Sequence, residues 1–310
     1  PILYNIYTNG LFKTLTHSIE IPIGEMAEYI ETKGGRFADD VYLLQETARR
    51  AAKAVHELIQ AYTKLGLKVE PSKSQILIVF PKEVIESISS LKVEQADKNK
   101  RYQDLAMKVL NKIYRNEKGY EEIKKMTLVN SMRYLGIELH WTWDLAKIAS
   151  LTRNKRRWGA SQHLNLIEDP YITCFTKMII SKCYNFPKLN YGSELLGNHD
   201  KKTVKNFINT ALQKACRIYG NPCQTVSWND MKMEQVETIN EASMLRAYLE
   251  WTNPTTNGVF SELADPWNGG KTYMNSLLRK NMEKIKKLRK GQSFMKTPKE
   301  EAKLYKQTRQ

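Results

Sequence analysis

The stretch "GRFADDVYLL", residues 35–44, decides how the first part of the chain folds. Two adjacent carboxylates, Asp39 and Asp40, stand between two apolar runs, although strand-forming segments avoid Asp. Asp tolerates the positive φ that a tight hairpin turn demands. We therefore predict two short antiparallel strands, Arg36–Ala38 and Val41–Leu44, with the two aspartates at the tip between them.

Two carboxylates at one tip repel each other unless a positive charge lies between or beside them. A magnesium ion meets this need, because it binds one or two carboxylates together with substrate phosphates. Two such ions stabilise the attacking and leaving oxygens of a phosphoryl displacement. A solvated turn is the alternative for an isolated pair of aspartates, and the residues alone leave both interpretations open.

The segments around the aspartates indicate a mixed fold. Apolar residues recur at helical spacing over residues 2–15, and "ETARRAAKAVHELIQAYTKLGL", residues 46–67, predicts an amphipathic helix that ends at Gly66. "KVEPSKSQILIVF", residues 68–80, predicts a turn that leads into a buried strand. A hairpin, a helix and a strand in this order predict a helix across an antiparallel sheet, so the expected fold class is α+β.

The second half of the chain changes period. Residues 82–130 are rich in Lys and have a helical pattern, and strict alternation from Leu135 to Leu145 then predicts a strand or hairpin. From about residue 160 onward, three apolar stripes predict a small helical bundle. The stripes are Ile172, Phe175, Met178 and Ile179; Val204, Phe207, Ile208, Ala211, Leu212 and Ala215; and Met244, Leu245, Tyr248 and Leu249.

The positive charge is unevenly distributed. The net charge is +16, yet residues 1–80 hold nine basic and nine acidic residues, so residues 81–310 carry the whole excess. Residues 271–310 alone hold thirteen basic and three acidic residues. This asymmetry favours a polyanionic partner, most simply nucleic acid, over a merely solvated face.

Other compositional features narrow the class of protein. The four cysteines have no zinc-ligand spacing and are expected to be free thiols. The longest apolar run, "ILIVF" at residues 76–80, is too short to span a bilayer, and the first ten residues do not resemble a signal peptide. We therefore expect an intracellular protein of the nucleus or cytoplasm that has no membrane partner.

Five motifs resemble, in order, those of reverse transcriptases of non-LTR (LINE-like) retrotransposons. "FADD", residues 37–40, resembles their Tyr/Phe-x-Asp-Asp box. The other motifs are "PILYNIYTNGL" (1–11), "GLKVEPSKSQIL" (66–77), "MRYLGIEL" (132–139) and "LNYGSELL" (189–196). They resemble, respectively, the helix after the template-contacting motif, a palm element with its lysine, the primer-grip hairpin and a thumb segment.

The resemblance covers most of residues 1–220 and implies a division of the chain. Residues 1–150 would be a partial polymerase palm with a Lys-rich helical insertion at about 82–130. Residues 151–265 would be an all-helical, thumb-like bundle, and residues 266–310 a basic, partly disordered tail. The implied activity is RNA-directed DNA synthesis, with an RNA template, a DNA primer and deoxynucleoside triphosphates as partners and Mg²⁺ or Mn²⁺ as cofactor.

The resemblance also implies roles for individual residues. Asp39 and Asp40 would bind the metal, and Lys73 would donate a proton to departing pyrophosphate. The primer end would be placed by Tyr134, Leu135 and Gly136. For Lys73 the alternative is a lysine that caps a turn, and for the hairpin residues it is ordinary strand packing.

A basic segment, "TRNKRRWG" at residues 152–159, adds a further candidate interface. Its side chains suit phosphate contacts and a stacked base, with a solvated basic turn as the alternative. The residues concerned are Arg153, Lys155, Arg156, Arg157 and Trp158.

The sequence departs from the family pattern in several places. A further metal-binding Asp from an upstream strand, the fingers residues and a Gln-Gly pair before Pro1 are not among these residues, and Glu70 stands where the family usually has Asn. Pro1 therefore looks like an internal cut, and we expect these residues by themselves to have no polymerase activity. The alternative is a catalytically inactive derivative that binds nucleic acid through its basic thumb and tail.

Overall fold

The structure of the protein is a computed structural model, which describes residues 15–23, 28–37, 40–162, 164–217 and 235–251. The chain divides into two compact units, each with its own hydrophobic core. The first comprises Pro1–Met132 and His140–Thr142, and the second comprises Arg133–Leu139 and Trp143–Gln310. The predicted opening helix, apart from Leu15, and the basic tail lie outside the described residues.

The first unit begins with two antiparallel hairpins. Strands β1 (Ile19–Ile23) and β2 (Glu28–Thr32) pair so that Ile19 lies opposite Thr32. Strands β3 (Gly34–Phe37) and β4 (Asp40–Leu43) pair so that Phe37 lies opposite Asp40. The predicted hairpin around the aspartates is confirmed, with strands that lie slightly earlier in the chain than predicted.

The first helix, α1 (Ala48–Lys64), confirms the prediction of an amphipathic helix after this hairpin. Thr47 caps its N-terminus by accepting a hydrogen bond of 3.2 Å from the backbone N–H of Arg50. Leu58 and Tyr62 are buried on its inner face. They form a core cluster with Leu15 and Ala61, against which the apolar face of β4 packs.

The predicted buried strand after α1 is wrong for most of its length. A 3₁₀ turn, Pro71–Lys73, is followed by a strand β5 of only two residues, Gln75–Ile76. This strand pairs in parallel with β6 (Thr127–Leu128), so among the described residues no antiparallel sheet joins it to the hairpin. The backbone N–H of Ile78 donates to the hydroxyl of Tyr102 at 3.0 Å, which replaces pairing with a neighbouring strand.

Three helices lie in the Lys-rich segment of the first unit: α2 (Lys82–Ser89), α3 (Gln95–Leu110) and α4 (Tyr120–Lys125). Helices α2 and α3 pack around Tyr102 of α3, which is fully buried and stacks on Trp141 with ring centroids 5.0 Å apart, whereas Ile123 of α4 packs with Ala52 of α1. The indole N–H of Trp141 donates to the Asn99 side chain at 3.2 Å. These Lys-rich helices are therefore anchored in the core of the first unit.

The alternation from Leu135 to Leu145 predicted a strand or hairpin, and the structure has a hairpin that begins earlier, with only its second strand in the alternating segment. Strands β7 (Ser131–Tyr134) and β8 (Ile137–His140) make a two-stranded sheet. Leu135 has φ 45° and Trp143 has φ 51°, and left-handed φ values interrupt extended backbone. The alternating pattern therefore overestimated the length of the strand.

The described part of the second unit beyond β8 is helical. Its helices are α5 (Leu145–Ser161), α6 (Leu164–Glu168), α7 (Cys174–Ile180), α8 (Phe186–Asn190), α9 (Ser193–Leu196), α10 (Lys201–Cys216) and α11 (Val236–Trp251), with a π-helical turn at Ser181–Asn185. The six predicted stripe residues of α10 are all buried, which confirms that stripe. Met244 and Leu245 of α11 are buried as well, whereas the side chains of Tyr248 and Leu249 lie outside the described residues.

The stripe predicted on α7 is wrong in its direction. Met178 is buried, but Phe175 is 76% exposed and Ile179 is 44% exposed. Lys177 and Ser181, which are polar, lie on the buried side instead. The core therefore takes a different face of this helix from the most apolar one.

The mixture of helices and small sheets is compatible with the expected α+β class. Among the described residues, none of the helices is both long enough and apolar enough to cross a membrane.

Candidate functional site

The β3–β4 hairpin presents Asp40 on its exposed face. Side chains alternate along β4, so Asp40 and Tyr42 are exposed while Val41 and Leu43 pack against the α1 cluster. Packing of the apolar face therefore directs the Asp40 carboxylate outward. Asp39, its neighbour in the sequence, lies outside the described residues.

The exposed face of the same hairpin is held in register by a glycine and a tyrosine. Gly35 lies directly opposite Tyr42 in the β3–β4 pair. A Cβ atom added to Gly35 would lie 2.5 Å from the Tyr42 hydroxyl oxygen, so the tyrosine ring covers the glycine. An aromatic side chain over a strand glycine pins register, which positions Asp40 two residues away on that face.

The donor chemistry of Asp40 fits a hard divalent cation, because carboxylate oxygens are the ligands that Mg²⁺ prefers. Among the described residues, no group of three or more His, Cys, Asp or Glu side chains gathers as a metal site. Asp40 is therefore the described carboxylate of the predicted pair, and a second one would come from Asp39.

Lys73 ends the 3₁₀ turn, and its side chain is exposed. Its backbone N–H donates to the carbonyl oxygen of Glu70 at 3.1 Å, and the Ser72 hydroxyl donates to the Glu70 carboxylate at 3.0 Å. The turn is thus closed by the backbone of Lys73 and not by its ammonium group. That ammonium group belongs to an exposed side chain.

Two side chains from later in the second unit hold the tip of the β7–β8 hairpin. The Arg156 Nη2 donates to the carbonyl oxygen of Gly136 at 2.8 Å, and the Tyr191 hydroxyl donates to the carbonyl oxygen of Leu135 at 2.9 Å. The Arg156 guanidinium carbon lies 4.0 Å from the centre of the Tyr191 ring, within cation–π distance. We call Leu135, Gly136, Arg156 and Tyr191 the hairpin clamp.

The backbone of the hairpin tip explains why glycine stands there. Leu135 has φ 45° and Gly136 has φ 80°, and a two-residue hairpin turn of type I′ needs positive φ at both central residues. A Cβ atom added to Gly136 would lie 2.4 Å from the Arg156 Nη2. The absence of a side chain at Gly136 therefore lets the guanidinium reach the turn.

The Arg156 guanidinium of the hairpin clamp is partly buried, and this affects its pKa. Burial lowers the pKa of Arg156, with Arg133 acting in the same direction and with Tyr191 and Glu194 opposing it. The guanidinium nevertheless remains a cation at neutral pH, because arginine is not deprotonated in proteins. Its second nitrogen, Nη1, donates to the carbonyl oxygen of Lys188 at 3.1 Å, so this cation is committed to carbonyl groups of the protein.

The structure corrects the interpretation of the basic segment at 152–159. The segment lies within α5 and is not a turn. Arg153, which was predicted to contact phosphates, is only 1% exposed, and its guanidinium donates to the carbonyl oxygens of Gly197 (2.9 Å) and His199. A buried guanidinium cannot reach a phosphate in solution, so we remove Arg153 from the candidate interface.

Lys155 and Arg156 are also engaged within the protein. The Lys155 Nζ lies 2.7 Å from a carboxylate oxygen of Glu138, a residue that is itself only 2% exposed. Arg156 belongs to the hairpin clamp. Arg157 and Trp158 are exposed on α5, with Trp158 72% exposed.

Sequence reasoning missed Tyr191 and Glu138 as structural partners of these motifs. The Tyr-Gly pair in "LNYGSELL" was the available signal for Tyr191: Gly192 has φ 77°, and a Cβ atom there would lie 2.8 Å from Ile137 of β8. Glu138 had no such signal, because its position in the alternating segment reads as solvent-facing.

Comparison with known proteins adds one finding. The family model described as reverse transcriptase (RNA-dependent DNA polymerase) matches residues 1–139. The match includes the aspartate hairpin, Lys73 and the β7–β8 tip, and it ends before α5. No curated protein matches the chain.

Proposed function

We propose that the chain is the palm and thumb part of a non-LTR reverse transcriptase, an RNA-directed DNA polymerase that adds deoxynucleotides to a DNA primer. The match over residues 1–139 supports the reverse transcriptase family, and the order of the five motifs supports the non-LTR type. The observation that carries the proposal is the outward-facing Asp40 on a core-packed hairpin within the matched region.

Asp39 and Asp40 would hold Mg²⁺ or Mn²⁺, which supplies charge stabilisation for the phosphoryl group that is transferred. The packed face of β4 leaves the Asp40 carboxylate exposed to solvent, which supports this role. Lys73, with an exposed ammonium group, would bind the triphosphate and donate a proton to departing pyrophosphate.

Primer positioning is the role proposed for Tyr134, Leu135 and Gly136. Arg156 and Tyr191, which hydrogen-bond to the backbone of this tip, would act on the primer through it as positioning residues. Arg157 and Trp158 would contact the nucleic acid directly, through a phosphate contact and base stacking.

The test of catalysis is primer extension by a longer chain that carries these residues behind an upstream aspartate-bearing strand. Asp40→Asn should lower incorporation at least about 100-fold, because electrostatic stabilisation of the transition state is lost. Asp97→Asn, a matched change at an exposed aspartate of α3, should leave incorporation near the parent value. Full activity of the Asp40→Asn chain would contradict the proposal.

A second candidate function is nucleic-acid binding without catalysis. It is favoured by the exposed Arg157 and Trp158 and by the net charge of +16. This candidate predicts that the longer chain binds an RNA–DNA hybrid and extends no primer.

Under both candidate functions, deletion of residues 271–310 should flatten the dependence of nucleic-acid affinity on salt concentration. An unchanged slope would show that the tail does not take part in binding.

A further inference from the structure

Two cysteines meet where helices α7 and α10 pack together. Cys174 is the first residue of α7 and Cys216 is the last residue of α10. Their sulfur atoms lie 3.5 Å apart. Cys174 is exposed and Cys216 is half-buried. A small solute therefore reaches the Cys174 sulfur from solvent more readily than the Cys216 sulfur.

We propose that Cys174 and Cys216 form a redox modification site, at which hydrogen peroxide reversibly converts the two thiols to a disulfide. A disulfide bond is about 2.05 Å long, so the two sulfur atoms need to approach by about 1.5 Å. Both residues lie at helix ends, and Thr173 caps α7 by accepting a hydrogen bond of 3.2 Å from the Thr176 N–H. Side-chain rotation at two anchored helix ends is a smaller change than any movement of the helices.

The chemistry proceeds in two balanced steps. The Cys174 sulfur attacks one oxygen of hydrogen peroxide, the O–O bond breaks, and a Cys174 sulfenic acid and one water are formed. The Cys216 sulfur then attacks the Cys174 sulfur, and the hydroxyl group leaves with the Cys216 proton as a second water. The two thiols are oxidised, the peroxide is reduced, and a dithiol such as dithiothreitol reverses the reaction by exchange.

The surroundings of the two thiols set their order of reaction. Burial and the neighbouring Cys174 raise the pKa of Cys216 to about 12, while Lys177 acts in the opposite direction. Cys216 therefore stays a protonated thiol at neutral pH, and a thiol is a weaker nucleophile than a thiolate. The exposed Cys174 is accordingly the sulfur that is oxidised first, and Cys216 is the resolving thiol.

The disulfide would tie together two helices of one core. Met178 of α7 and Leu212 of α10 belong to the same buried cluster. Linking residues 174 and 216 closes a long loop, which restricts the unfolded chain and raises the thermal midpoint of unfolding. This consequence concerns the stability of the second unit and is independent of the polymerase proposal.

The experiment treats the full chain with hydrogen peroxide at neutral pH and maps its thiols by alkylation and mass spectrometry. The expected result is a peptide pair joined through Cys174 and Cys216, lighter by two hydrogen atoms, that dithiothreitol separates. Cys183→Ser, a matched change at an exposed cysteine, should leave the cross-link intact. A thermal midpoint that rises on oxidation and falls again with dithiothreitol is the second expected readout.

Cys216→Ser should stop the reaction at the Cys174 sulfenic acid, which dimedone traps. Mapping of the cross-linked peptides in the unaltered chain tests the proposal even if Cys216→Ser does not fold. A cross-link to Cys183 or Cys223 in its place, or separate oxidation of Cys174 and Cys216 without a cross-link, would overturn the proposal.

Discussion

The Arg156 guanidinium and the carbonyl oxygen of Gly136 meet at 2.8 Å across twenty residues of chain. This bond links a segment expected to bind phosphates with a hairpin expected to bind a primer. The Arg156 guanidinium thereby stabilises the hairpin of the second unit, whereas Arg157 and Trp158 of α5 are exposed to solvent.

Arg156→Lys should loosen the hairpin tip. Lysine cannot reach two carbonyl oxygens and cover the Tyr191 ring at once, so the free energy of local opening should fall by about 1–3 kcal/mol. Hydrogen exchange at the backbone amides of residues 134–138 measures this quantity. Arg157→Lys makes the same change at the exposed neighbour and should alter it by less than about 0.5 kcal/mol. Equal effects of the two variants would show that the clamp contributes nothing.

Leu135→Asn should cost less stability than the same change at another half-buried leucine. A left-handed φ costs a leucine about 1–2 kcal/mol, whereas asparagine adopts it readily. Leu139→Asn is the control, because Leu139 is half-buried in β8 and is not among the described residues with positive φ. Thermal unfolding of both variants gives the comparison, and a larger loss for Leu135→Asn would contradict a strained tip.

Lys155→Met should destabilise the second unit by about 1 kcal/mol or more, since it leaves the buried Glu138 carboxylate without its cation. The Lys155 side chain is 61% exposed, and solvent screening keeps the effect toward the lower end of that range. Glu138→Gln combined with Lys155→Met should recover part of the loss, because no buried charge then remains. A double-mutant cycle measured in urea tests this coupling, and strictly additive effects would contradict it.

His199 should make the second unit less stable in mild acid. Burial lowers its pKa in the folded state, while Asp144 raises it and Arg153 lowers it further. In the unfolded chain a histidine takes up its proton as the pH falls through about 6.5, before His199 does in the folded state. The contribution of His199 to the free energy of unfolding is therefore fully present above that pH and is lost as the pH falls below it.

His199→Gln, which does not titrate in this range, should remove that part of the decline. Urea midpoints at pH 7.5 and pH 5.5 for the two chains provide the measurement. An identical loss of stability in both chains would show that His199 does not contribute.

Arg157→Ala should weaken binding of an RNA–DNA hybrid and reduce the slope of log affinity against log salt by about one. Trp158→Leu should weaken binding by about 1–3 kcal/mol with little change of slope, because stacking is not an ionic contact. Arg115→Ala, at an exposed arginine in the first unit, is the matched control for charge. Fluorescence anisotropy over a salt series separates these results. Equal losses of affinity for Arg157→Ala and Arg115→Ala would show that Arg157 is only a solvated surface residue.

Local patterns predicted much of the architecture. Helices α1 and α10 follow from apolar residues at helical spacing, and the β3–β4 hairpin follows from turn-forming aspartates between apolar runs. These signals depend on neighbours within a few residues, so they need no knowledge of the fold. The buried strand after α1 failed because its partner was non-local: the Ile78 amide bonds to Tyr102, 24 residues away.

The site divides in the same way. The sequence by itself determined that Asp40 would lie at a hairpin and that basic and aromatic residues would cluster at 152–159. Only the tertiary structure decided that Arg153 would be buried, because its carbonyl acceptor at Gly197 lies 44 residues further along the chain. Whether a cation faces solvent or protein depends on which acceptors the fold brings to it, and no local pattern records those acceptors.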